Sequence, residues 1–119
     1  MICIQPKDRM FDVTPTALLY YELQVYFAKH DEFESLATLA DCDPYGDTHF
    51  STTQITDFID TIDRLLPRLE EKQLPSPPSY IEEDGENYGW LELKEFFYAL
   101  RAACERALQT KSAVVAYGD

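Results

Sequence analysis

Two short acidic stretches carry side chains that could hold a cation. Asp41, Asp43, Tyr45 and Gly46 have the spacing of the first half of an EF-hand loop. Such a loop takes oxygen ligands at its first, third and fifth positions and glycine at its sixth. Asp84, Glu86, Tyr88 and Gly89 repeat the order, and Glu95 stands at the twelfth position, where a bidentate carboxylate closes the cage. The first stretch has Thr52 there, which has no carboxylate to give. Tyrosine replaces a good oxygen ligand in both, and Pro75, Pro77 and Pro78 disfavour a helix just ahead of the second. A divergent EF-hand-like calcium module is therefore one reading. The simpler one is a pair of turns: Pro44–Asp47 as a β-turn with Asp43 or Asp47 bonding nearby amides, and a second turn marked by Gly85 and Gly89. No metal-ligand set and no cofactor is expected.

Other chemistry has less support. His30 and His49 are the only histidines, and no Cys or His stands at zinc-ligand spacing. A Cys42–His49 nucleophilic pair needs an electropositive setting to form thiolate, and its surroundings are acidic. There is no Gly-rich phosphate loop and no basic patch. An enzyme is not expected.

Charge gives the stronger lead. The chain has 22 Asp and Glu against 10 Lys and Arg, a net charge of −12. Such a field repels nucleic-acid phosphates and anionic lipid and favours a cationic partner. Tyr80, Glu82, Glu83, Asp84, Glu86, Tyr88 and Trp90 put acids and aromatic rings in one stretch. Interface centres favour Tyr and Trp, and flanking acids steer a basic partner. Together with Asp41, Asp43, Tyr45 and Asp47 they form the candidate partner-binding set. The competing role for Tyr88 and Trp90 is to anchor their stretch to the core.

The elements that must position these residues are mainly helical. Thr14-Pro15 has the form of a cap and first helical position. Residues 17–27 alternate like a strand yet also place Leu19, Leu23, Tyr26 and Phe27 on one helical face, and the cap favours helix. Phe33, Leu36, Leu39 and Ala40 continue an apolar side. Ser51 and Gln54 have capping-box spacing ahead of a stripe of Ile55, Phe58, Ile59, Ile62, Leu65, Leu66 and Leu69. Asp57, Asp60 and Asp63 fall off that stripe, and Pro67 predicts a bend or stop near Leu66. Residues 73–79 read as a stiff connection and 82–87 as an acidic turn. A last helix from about Leu91 buries Leu93, Phe96, Phe97, Leu100, Cys104 and Leu108. Short strands over 2–5 and 113–117 would pair and tie the ends down. The fold class is thus mainly α, α+β at its margins, with three to four helices and 1–119 as one domain. Three cysteines without close spacing argue against a disulfide framework. Neither a membrane span nor a signal peptide is legible, so a cytosolic protein is expected.

The run Asp43-Pro-Tyr-Gly-Asp-Thr-His-Phe-Ser-Thr-Thr-Gln54, with its following helix and the ending Val114-Val-Ala-Tyr-Gly-Asp119, resembles a group of small acidic bacterial proteins. They carry an Asp-x-Tyr-Gly-Asp-Thr-x-Phe/Leu-x-x-x-Gln signature and look like immunity proteins of polymorphic or contact-delivered toxins. The match covers about a fifth of the chain. It implies a cytosolic protector, an antitoxin, and supplies no catalytic residues; the acidic charge adds that the partner is a cognate basic toxin, without direct nucleic-acid or membrane binding. An acidic nucleic-acid mimic that inhibits a defence protein shares the same charge argument.

Overall fold

The computed structural model describes residues 1–7, 15–78 and 85–118, with the backbone alone for residues 85–88. Among these the order is β1 (Ile2–Pro6), β2 (Ala17–Leu19), α1 (Tyr21–Lys29), a 3₁₀ helix (Asp31–Asp41), β3 (Asp47–Phe50), α2 (Thr52–Glu70), α3 (Gly85–Gln109) and β4 (Val114–Gly118). The fold is mainly α with short strands near both termini, as expected. The strands form one antiparallel sheet in the order β2-β1-β4-β3. The terminal strands do pair, with Ile4 opposite Ala116.

Residues along a strand alternate between two faces. Ile2 and Ile4, Ala17 and Leu19, Val114 and Ala116, and Phe50 share one buried core with α3 residues Leu93, Phe97 and Leu100. Cys3, Leu18, Asp47, His49 and Tyr117 occupy the alternate positions and are at least partly exposed. An aromatic cluster joins the helices: Phe27 lies 5.0 Å from Phe33 and 5.7 Å from Phe96, ring centre to ring centre.

Residues 17–27 divide between the two patterns they showed. Ala17–Leu19 pairs with β1, which satisfies its backbone, and the helix begins only at Tyr21. Tyr20 makes no side-chain cap, and Thr14 lies outside the described residues. The helix buries Leu23, Tyr26 and Phe27, as its apolar face predicts. Residues 31–41 form two short 3₁₀ pieces separated by a kink at Glu34, whose φ is 47°, and Phe33, Leu36 and Leu39 are buried. Leu36 and Leu39, three apart and both beyond the kink, share one side of the second piece.

The capping box is present in α2. Ser51 Oγ accepts from the Gln54 amide at 3.3 Å, and Gln54 Oε1 accepts from the Ser51 amide at 2.9 Å. The helix does not stop near Leu66 but continues to Glu70 with Pro67 inside. Leu69, buried one turn on, rewards that last turn. The amides of Glu71 and Gln73 then return to the carbonyls of Pro67 and Arg68 at 3.3 and 2.7 Å.

α3 starts at Gly85, before the expected Leu91. Gly85 and Gly89 are therefore helical residues and not a second turn. Gly89 serves close packing: a Cβ there would sit 2.8 Å from the Pro78 carbonyl oxygen and 2.9 Å from that of Pro77. Only glycine lets the helix lie this close to the proline-rich connection. Leu93, Phe96, Phe97, Leu100 and Cys104 are buried as expected, but Leu108 is half exposed. Ala103 and Ala107 take the inward positions of that last stretch.

Candidate functional site

The acidic corner is built by short-range bonds. Gln24 of α1 is buried, and its Nε2 donates to the carbonyls of Leu39 at 3.1 Å and Cys42 at 3.3 Å. That fixes the exit of the 3₁₀ helix, where Asp41 is exposed. Asp43 Oδ1 then accepts from the Tyr45 amide at 2.8 Å, and the Gly46 amide reaches the Asp43 carbonyl at 3.4 Å. The turn is thus Asp43–Gly46, one residue earlier than predicted, with Pro44 at the position that its fixed φ suits. Asp47 opens β3 instead of closing the turn.

This turn is held against β4. The Gly118 amide donates to the Gly46 carbonyl at 2.8 Å, and Asp47 lies opposite Tyr117 in the register. A Cβ on Gly118 would lie 2.5 Å from the Pro44 carbonyl carbon. The two parts of the sequence signature, residues 43–47 and 114–118, are therefore neighbours in space. Tyr45 stands at the tip, 84% exposed.

The surroundings are acidic over a wide area. No Lys or Arg occurs between Lys29 and Arg64, while nine acids do. Two of the nine are in ion pairs: Glu34 binds Arg64 through both carboxylate oxygens, and Asp63 binds Arg101 at 2.7 Å. The other seven, Asp31, Glu32, Asp41, Asp43, Asp47, Asp57 and Asp60, are all exposed and make no ion pair among the described residues. The elements that carry them are packed together. Ser35 Oγ of the 3₁₀ helix donates to the Asp57 carbonyl of α2 at 3.1 Å.

Of the other predicted site residues, Tyr80, Glu82, Glu83 and Asp84 lie outside the described residues. Glu86 and Tyr88 belong to α3 by their backbone. Trp90 is buried at 7% exposure, so it anchors α3 to the core and does not offer its ring to a partner. Helical periodicity carried the hint, because Trp90 stands three residues before Leu93 and seven before Phe97 on the buried face.

The calcium and thiol readings also meet this geometry. Residues 85–95 of the second calcium-like stretch form continuous helix, which cannot fold around an ion as a loop does. Among the described residues, no three or more His, Cys, Asp and Glu come together as a metal site. Cys42 is buried, which pushes its thiol up, while a hydrogen bond with Thr48 opposes the shift. Strand alternation turns His49 away from the side of Thr48. Among the described residues, no helix is long and apolar enough to cross a membrane. Comparison of the chain with protein-family models, with curated proteins and with solved structures finds no match.

Proposed function

We propose that this chain is a bacterial immunity protein that neutralises a basic toxin enzyme by covering its cationic site. One observation carries the reading: a fixed turn presents Tyr45 among exposed acids that no base of the described residues neutralises. Rigid presentation matters because a preordered surface loses little entropy on binding. An exposed tyrosine gives contact area, and the acids speed and orient the encounter with a cationic partner. Asp41, Asp43 and Asp47 would stand where the toxin otherwise receives nucleic acid or nucleotide. Such a protein acts in the cytoplasm and needs no catalytic residue or cofactor.

The test is capture of a basic protein encoded beside this chain, followed by co-expression. The chain is expected to hold that protein in a complex that loosens as salt rises, and to restore growth to cells expressing it. Failure to retain any basic protein at low salt ends the proposal.

A further inference from the structure

A groove of about 300 Å³ lies between β2 and α3, on elements separate from the acidic turn. Leu18, Tyr20, Leu23 and Phe96 give it apolar walls, and Glu92 and Glu95 bring carboxylates. The two acids are three residues apart on α3, so they are neighbours on its surface. Glu95 is exposed and outside every ion pair among the described residues. Chain neighbours of the lining residues include exposed hydrophobics: Tyr21 is 73% exposed, Leu91 50% and Tyr98 48%. Most large exposed hydrophobics of the described residues belong to the β2–α1 segment or to α3. Patches of this kind, rimmed by charge, mark contact sites.

An apolar trough beside carboxylates suits a side chain with a hydrocarbon stem and a cationic head. Arginine fits better than lysine, because its planar head both pairs with carboxylates and stacks on a ring such as Tyr20. We propose that this groove receives an arginine side chain of the protein partner, its stem on Leu18, Leu23 and Phe96 and its head at Glu95. The identity of the occupant as a partner's residue rests on the immunity reading; the preference of the groove for a guanidinium does not.

The test is a titration of the isotope-labelled chain with N-butylguanidinium, followed by NMR, with butan-1-ol as the uncharged control. Shifts are expected to concentrate at Leu18, Tyr20, Leu23, Glu95 and Phe96 and to be absent with butan-1-ol. Glu95→Gln should weaken binding about threefold, the worth of an exposed charge pair. Glu71→Gln, a charge lost elsewhere, should leave it unchanged. Equal shifts with butan-1-ol, shifts scattered over all exposed acids, or undiminished binding by Glu95→Gln would overturn the proposal. The probe needs no toxin, so the two proposals fail separately. Local guanidinium binding without capture of a basic protein ends the immunity reading alone. Capture without local shifts ends the groove alone.

Discussion

The amide of Gly118 donates to the carbonyl of Gly46 across 2.8 Å, which makes the acidic turn an extension of the sheet. The contact leaves no room for a side chain, since a Cβ on Gly118 would meet the Pro44 carbonyl carbon at 2.5 Å and the Asp43 carbonyl oxygen at 2.6 Å. Both are backbone atoms and cannot swing aside. Gly118→Ala should therefore destabilise the chain by about 1–3 kcal/mol, the usual cost of overpacking. Chemical denaturation measures this, and wild-type stability in the variant would mean the turn is not held there.

Gly89→Ala sets two effects against each other. Alanine favours a helix interior over glycine by about 1 kcal/mol. Against that stands a Cβ at 2.8 Å from the Pro78 carbonyl oxygen. Because the obstacle is backbone, packing should win and the variant should melt lower. A variant that melts higher would place the proline-rich connection farther from α3.

Asp63 and Arg101 predict a pH dependence. The hydrogen bond from Arg101 holds the Asp63 carboxyl below its ordinary range, with the guanidinium charge assisting and slight burial opposing. A depressed carboxylate adds stability above the unfolded-state value of roughly 3.9, and that stability is lost as pH falls through the folded value. Asp63→Asn should be slightly less stable than wild type near neutral pH, by a fraction of a kcal/mol for so exposed a pair. The two melting curves should converge as the solution is acidified. A constant gap across the acid range would contradict the pairing.

The cysteines should differ in reactivity. Cys104 is fully buried, and burial pushes its thiol up to about 12. Cys42 is buried too, whereas Cys3 is half exposed. A disulfide reagent should label Cys3 first in the native chain and the other two only on unfolding. The neutral Cys104 thiol supports the fold fully below the unfolded value of roughly 8.5, and its contribution declines as pH rises from there towards the folded value. Labelling of all three cysteines at one rate would show a looser core.

Local signals in the sequence were reliable where local bonds decide the structure. Ser51 and Gln54 cap α2, and the stripe from Ile55 to Leu69 faces the core because both depend only on spacing within one helix. Residues 17–19 fit a helix in sequence because the competing strand needs β1, whose pairing is long-range. Gly85 and Gly89 suggested a turn because glycine's ordinary role in turns is visible in sequence, and the approach of Pro77 and Pro78 to Gly89 is not. The apolar side of Phe33, Leu36 and Leu39 is legible from spacing, but the 3₁₀ geometry and the kink at Glu34 are not. In the candidate site, the exposed acids at 41, 43 and 47 were legible from charge and turn chemistry. For Trp90 the acids beside it leave both roles open, and only its helical spacing from Leu93 and Phe97 points inward.

The most direct test is the affinity of the captured basic partner for wild-type chain and for Tyr45→Ala, measured by calorimetry at low and high salt. Tyr45 is solvent-exposed, so the variant should keep its fold, and a matching melting curve checks this. The account predicts weakening by about 2 kcal/mol, the scale of an interface hot spot, together with an affinity that falls as salt rises. A partner bound equally well by Tyr45→Ala, with no dependence on salt, would contradict the claim that this acidic corner is where the protein binds.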